Sequence, residues 1–493
     1  MFNEIDKNIK IFEDMFKDCG DLVSRKIPVS STSIYVLYFD GMNDRDLIEG
    51  RVLDTLMLEI RKAPPSNFEN LTEALINGGI TTADLSFQEH FEKCADAVMS
   101  GETLLLIDGF SKAIIIASKH FPKRGIEKPD TEGGINGPKE AFCENFRDNT
   151  ALIRRRIRDT HLKIKQMQVG RRSKTDVGLV YLSDVVRPEI LSEAEKRLKS
   201  IDIDAIIDSS YLAQLMSKNK LSPFPSFQLT ERPDKAAAEI LEGRIVIVCG
   251  TSPFVIILPA VLACFYQASE DYYQNYLIAS LARLIRYTAS VLALTLPSLY
   301  ICFALFNPSM LPTALLLKMS SAREGVPIPG VLEIFLMELA FEALREAGVR
   351  MPDAIGQTLG IVGGIIIGQA AVDAGLVSPI VVIVVSLTGI CSFAVPQLSL
   401  SSAYRICKYF LMIASAFFGL LGFWAALVCI FIYLSSLTSF GIPYLYPFVG
   451  GDIRGDEGIK DTFLRLPLSF MKKRPIFSNN SQKTRYKNNK EKS

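Results

Sequence analysis

The spacing of apolar and polar positions along the chain predicts two kinds of structure, with the change near residue 252. In the first part the apolar positions come as short strand-like runs and helical stripes. Residues 1–28 read as a charged amphipathic helix and a lead-in. Residues 34–39, IYVLYF, combine aromatic and β-branched types and predict a buried strand. A helix follows over 44–60, apolar at Leu47, Ile48, Val52 and Leu56. Residues 89–99 predict another helix, and Thr103–Ile107 a strand closed by Asp108-Gly109. The pattern then returns, with strands at 180–182 and 245–248 and helices at 188–198 and 232–241. Tyr38 and Tyr181, Leu47 and Ile190, and Gly101 and Gly243 keep an offset of 142–143 residues. That constancy predicts an internal repeat of two α/β subdomains; chance similarity of two βα units is the alternative. Between them, 119–178 holds a Gly/Pro-punctuated loop, a helix at 141–157 and a basic stretch.

Beyond residue 252 the runs lengthen. A spanning helix needs about 20 predominantly apolar residues. Residues 287–306 (kinked at Pro297), 355–372, 377–395 and 409–435 meet that description. Residues 254–267 are shorter, contain Pro259, and read as interfacial or re-entrant. Residues 331–347 are apolar but carry Glu333, Glu338, Glu342, Arg345 and Glu346. They predict a membrane-associated helix with a polar stripe, or a span facing something wet.

Composition sharpens this division. Lys+Arg is 54 and Asp+Glu 53, a net charge of +1, which speaks against a whole-chain nucleic-acid binder. The 49% hydrophobic content is ordinary only as an average. Residues 287–317 and 409–451 carry no charge, and 355–404 only Asp373. A simple soluble enzyme is excluded. The expected fold class is an α/β cytoplasmic region of two related subdomains, then an α-helical multi-pass membrane domain. The expected borders are a lead-in at 1–29, subdomain 1 at 30–122, a connecting helix and basic segment at 123–178, and subdomain 2 at 179–252. The membrane domain is expected at 253–447, with about four spans, and a basic cytoplasmic tail at 448–493. MFNEIDKNIK has no apolar signal core. Eleven Lys/Arg follow Val449, and basic flanks stay inside. Both termini are therefore expected in the cytoplasm, with an even number of crossings. The last stretch, SNNSQKTRYKNNKEKS, reads as disordered. The nine cysteines are scattered and predict reduced thiols.

Catalytic patterns are missing. The three histidines, 90, 120 and 161, lack metal-ligand spacing, and residues 133–139 lack the phosphate-loop pattern. Neither GxGxxG nor GxSxG occurs, so no enzyme activity, metal or cofactor is expected. Three constellations remain. Gly356, Gly360, Gly364 and Gly368 recur every fourth residue and predict close helix packing, within the chain or at a subunit seam or pore. Glu338, Glu342, Arg345 and Glu346 share a helix face of about 100°. They read as an interfacial charge stripe or, for Glu338 and Glu342, an ion route. Pairs are expected between Glu342 and Arg345 and between Glu346 and Arg350. Nine basic residues crowd 151–175, with Arg154, Arg155, Arg156, Arg171, Arg172 and Lys174 as the candidate patch. It suits a solvated or ion-paired surface, anionic lipid headgroups or an inter-subunit acidic face; nucleic acid is not expected, since no aromatics interleave.

Five blocks carry a resemblance: GPKEAFCENFRDNTALIRRRI (137–157), VGRRSKTDVGLVYL (169–182), PFPSFQLTERPDKAAAEILEGRIVIVCGTSPF (223–254), MELAFEALREAGVRMP (337–352) and GQAAVDAGLVSPIVVIVVSLTGICSF (368–393). In this order they resemble the A subunit of GerA-type spore germinant receptors over roughly residues 30–470. The resemblance implies a multi-pass protein of the spore inner membrane that acts with a transporter-like B subunit and a lipoprotein C subunit. It also implies self-association, as a ring, into a nutrient-gated cation channel that triggers germination. A small-molecule permease and a sporulation or germination scaffold without its own pore are the alternatives.

Overall fold

A computed structural model of the chain describes residues 1–29, 32–44, 46–53, 85–120, 129, 132–133, 136–349, 368–450 and 457–485. Its contacts divide into an N-terminal unit, Met1–Lys220 with Phe227–Pro259 and Met471–Ser493, and a helical unit, Leu221–Ser226 with Ala260–Phe470.

The N-terminal unit begins with helix α1 (Ile5–Met15), whose Ile5, Ile9 and Phe12 are buried at helical spacing. Strands β1 (Leu22–Val29), β2 (Thr32–Phe39) and β3 (Leu85–Gln88), helix α2 (Phe91–Met99), and strands β4 (Thr103–Ile107) and β5 (Ala113–Ile116) follow. The sheet order is β1-β2-β4-β5-β3, antiparallel throughout. Period-two alternation divides its side chains. Tyr35, Leu37, Phe39, Leu104 and Leu106 pack with α1 and α2, while Ile34, Val36, Leu105 and Ile107 pack on the opposite face.

The succession then repeats. Helix α3 (Phe146–Arg156), strands β6 (Leu162–Val169) and β7 (Thr175–Leu182), helices α4 (Pro188–Lys199) and α5 (Ser209–Met216), strand β8 (Gln228–Thr230), helix α6 (Pro233–Leu241) and strands β9 (Ile245–Cys249) and β10 (Val255–Leu258) build the second subdomain. Its sheet order, β6-β7-β9-β10-β8, is the first order again. Gly101 and Gly243 occupy equivalent turns, after α2 and α6, at φ +92° and +94°, a backbone that favours glycine.

The repeat is longer than the sequence pattern suggested. The segment expected as a lead-in contributes α1 and β1. The segment expected as a connector contributes α3 and β6. Both strands lie at sheet edges, where charges such as Arg25, Lys26, Lys163 and Lys165 interrupt the apolar alternation and protect the edge. Residues 255–258, expected to touch the membrane, are instead strand β10, buried and paired with β8 and β9. A four-residue apolar run has no period that separates these outcomes. The helix expected over 44–60 is a π-turn at Leu47–Leu53, and its remainder lies outside the described residues. The stretch expected to be disordered is described over 478–485, where it is paired, and 486–493 lies outside the described residues. Ser478 bridges to Val186, Asn479 N–H donates to Val185 O at 2.7 Å, and Phe477 is buried beneath the Arg244 guanidinium.

The helical unit holds α7 (Tyr276–Tyr300, continued by a π-turn over Ile301–Phe306), α8 (Thr313–Ala322), α9 (Gly330–Val349), α10 (Pro379–Phe393) and α11 (Leu398–Ser436). A hairpin, Thr438–Ser439 with Ile442–Pro443, follows. Among the described residues two helices, Tyr276–Phe306 and Leu398–Ser436, are long and apolar enough to cross a membrane. The stretch expected to span at 377–395 forms only the 15-residue α10, and 355–367 lies outside the described residues. α7 packs against both α10 and α11.

Candidate functional site

Three carboxylates project from α9, and each meets a cation brought by another part of the helical unit. Glu333, fully buried, accepts from Ser378 N–H and faces Arg323 at 3.8 Å. Glu338, 1% exposed, pairs with Lys408 Nζ of α11 at 2.5 Å. Glu342 pairs with Arg345 of its own helix at 2.5 Å and with Arg405 of α11. The geometry follows from two helical periods. Glu338 and Glu342 stand one turn apart on α9, and Arg405 and Lys408 one turn apart on α11, so two rows of opposite charge face each other. Arg405 is steadied further by Ser402 Oγ at 2.7 Å. The Lys408 ammonium lies 5.2 Å from the Tyr409 ring centre. Among the described residues Glu338 Oε1 has no partner, nor has the Tyr409 hydroxyl.

Of the sequence expectations, the Glu342–Arg345 pair is present, whereas Arg350 lies outside the described residues. Pattern reading pointed to Glu338, Glu342 and Arg345 but not to the partners on α11, Arg405 and Lys408. A signal existed: Arg405 and Lys408 are the only basic residues between positions 355 and 451. Of the glycine row, Gly356, Gly360 and Gly364 lie outside the described residues. Gly368 is helical, and a Cβ there would stand 3.0 Å from Val382 Cγ1.

The basic run does not form one surface. Arg154, 3% exposed, makes a two-pronged ion pair with Asp21, and its guanidinium sits 3.9 Å over the Phe39 ring. Burial disfavours that charge, but Asp21 more than restores it and raises the Arg154 pKa. This residue joins the two subdomains and has no surface to offer a lipid, which corrects its place in the candidate patch. Beside it, Gly20 N–H donates to Ile164 O at 2.9 Å. Arg155 and Arg156 both grip Glu140. Burial pushes the Glu140 carboxyl up, and the two guanidiniums outweigh it and hold it below the usual range. Arg171, Arg172 and Lys174 stay exposed in the β6–β7 turn, the arginines near Asp202 and Asp204.

All nine cysteines are unpaired, and burial pushes the Cys94 thiol up to about 11. Among the described residues no group of three or more His, Cys, Asp or Glu is arranged for a metal ion.

Comparison with known proteins yields a family match over residues 10–477, to the Bacillus/Clostridium GerA spore germination protein. The chain is 37% identical to the uncharacterized membrane protein YfkQ of Bacillus subtilis, over 95% of this chain and 90% of that protein. It is 36% identical to the spore germination protein GerLA of Bacillus cereus, over 95% of this chain and 94% of that one. Among solved structures, the N-terminal domain of the A subunit of the Bacillus megaterium spore germinant receptor GerK3 matches at 30% identity and a TM-score of 0.41. That match covers 53% of this chain and 96% of that domain.

Proposed function

The chain belongs to the GerA family of spore germination proteins, and on that premise we propose that it is the A subunit of a nutrient-responsive germination receptor. In this proposal it assembles with copies of itself in a membrane as a gated cation channel. A role in germination, and not in enzyme catalysis, follows from the family itself. The finer reading rests on one observation: the facing charge rows of α9 and α11, with the Glu338–Lys408 pair buried and the Glu342–Arg405 pair partly exposed, in the unit that also carries both long apolar helices. Ionisable side chains at membrane depth are costly and tend to face one another, water or an ion path. In this reading Lys408 and Arg405 hold the carboxylates in the resting chain. Opening exchanges those tethered cations for a mobile monovalent one, and the free oxygen of Glu338 is the first it meets. The glycine row gives the close helix seam that assembly needs.

The topology proposed is four crossings, by α7, residues 355–372, α10 and α11. Support for an even count comes from the N-terminal unit, which contains both the chain's first 220 residues and the segment from Met471. A chain whose beginning and end share one compact unit returns to the side it left. The eleven basic residues after Val449 support the cytoplasm as that side. A transporter-like B subunit and a lipoprotein C subunit complete the proposed receptor. Exposed Arg171, Arg172 and Lys174 remain available for anionic headgroups.

A scaffold without its own pore is the second reading, and one observation favours it: Glu338 and Glu342 already have basic partners within the chain. Ion flux per assembled complex, measured for Glu338→Gln, Glu342→Gln and the double variant, separates the two. The channel reading expects slower cation release per assembled complex, compared at equal amounts of folded protein because the stranded Lys408 lowers stability. Flux equal to wild type in all three would end the ion-route assignment.

A further inference from the structure

Helix α7 and its π-turn comprise 31 residues, about 46 Å at 1.5 Å per residue, against a hydrocarbon thickness of about 30 Å. The uncharged part, residues 287–306, fills that thickness alone. The preceding turns, which carry Arg283 and Arg286, therefore belong at headgroup depth. Their polar row is covered by a strap from much later in the chain. Arg283, fully buried, donates to Asp461 Oδ1 at 2.7 Å and to Asp271 at 2.8 Å. Tyr272 OH donates to Asp461 Oδ2 at 2.6 Å, and Gln267 Nε2 to Asp461 O at 2.7 Å. One turn towards the helix start, Ser280 Oγ bonds Arg465 N at 3.0 Å and Arg465 O at 3.1 Å. Arg465 Nη1 reaches Gln274 O at 2.8 Å. The strap thus runs antiparallel to α7 and supplies the counter-charge its first turns require.

The strap has a second face. Thr462 and Arg465 turn inward and are buried, while Phe463, Leu464, Leu468 and Phe470 are 45–62% exposed. Between Asp461 and Lys472 the only charge is the buried Arg465. Phe463 packs its ring 4.8 Å from Tyr287 and 5.2 Å from Phe448, at the point where the uncharged part of α7 begins. Aromatic rings gather at that level of a bilayer.

We propose that residues 461–470 form an interfacial strap. Phe463, Leu464, Leu468 and Phe470 insert at the headgroup–acyl boundary of the leaflet that α7 enters, and the Arg283–Asp461–Asp271 cluster locks the strap to that depth. Lipid is the occupant because the outward face of the same α7 turns, Leu277, Ile278, Leu281, Leu284 and Ile285, is likewise apolar and 48–63% exposed. A bilayer covers both at once. The inference rests on the reading that α7 crosses the membrane.

Site-directed fluorescence tests it. Trp424 is the only tryptophan. In a Trp424→Phe background of the full chain, single tryptophans are introduced by Leu464→Trp and Leu468→Trp in the strap, and by Val291→Trp on the exposed face of α7. Each protein is reconstituted into phosphatidylglycerol/phosphatidylethanolamine vesicles. The expected result is loss of fluorescence with brominated acyl chains at all three positions, with iodide in the buffer much less effective. If Val291→Trp is quenched by bromolipid while both strap positions respond only to iodide, the strap faces water and the proposal fails with the span intact. Shielding of both strap positions from either quencher means a protein partner, a second copy included, and overturns it equally. Absence of bromolipid quenching at Val291→Trp removes the span and the strap proposal together.

Discussion

A carboxylate buried on an apolar helix needs a partner within reach, and Lys408 supplies one for Glu338. Removing one partner of such a pair strands the other and costs about 3–5 kcal/mol, whereas replacing both with neutral groups is often close to neutral. Lys408→Met should therefore lower the melting temperature and folded yield of the full chain in detergent. Combining it with Glu338→Gln should restore most of both. A single variant as stable as wild type would show that Glu338 is neutralised by something other than Lys408. The same physics explains Arg154, which the sequence pattern groups with a basic patch at the surface. Its Asp21 partner lies 133 residues away, and only the fold brings the two together.

Among the elements, α11 has the most to reconcile. Its 39 residues would run about 58 Å as a continuous helix, nearly twice the hydrocarbon thickness of about 30 Å. Gly419 interrupts it, at φ 56° and ψ −135°. A Cβ at that position would also stand 3.1 Å from the Phe306 ring at the end of the α7 π-turn. Gly419→Ala should destabilise the helical unit by about 1–3 kcal/mol, the cost of holding a side chain in sparsely populated backbone. Thermal melting of the full chain in detergent reads the loss. An unshifted melt would mean that the break moves along the helix at no cost. Edge strands β1 and β6 pose the reverse problem. Their charged positions suit an edge, and that same property hid them from a search for apolar runs.

For the whole molecule, the informative connection is between the chain end and the second α/β subdomain. Phe477 is 2% exposed, and Ser478 Cα lies so near Gly243 that a Cβ there would approach it to 2.8 Å. Phe477→Ala should cost about 3–5 kcal/mol, as for other buried aromatic truncations, visible as an earlier melt of the N-terminal unit. If that unit is cytoplasmic, a protease added outside intact membranes spares a C-terminal tag. Removal of the tag would require an odd number of crossings.

Whatever depends on local pattern was legible before any fold was known. Short aromatic and β-branched runs such as IYVLYF became β2, and the near-constant spacing of Tyr38/Tyr181 and Gly101/Gly243 marked two subdomains of one strand order. Long uncharged stretches foretold α7 and α11, and Glu338 and Glu342 stood out because carboxylates are rare among such neighbours. What each charge meets is set by packing between distant segments. Lys408 reaches Glu338 across 70 residues, and Asp461 reaches Arg283 across 178. Strand or membrane for Val255–Leu258 was likewise settled by its neighbours β8 and β9. Hydrophobic periodicity records which face of an element is buried. It carries no record of which distant element does the burying, and at a buried charge that partner decides whether the residue is a cost, a lock or a route.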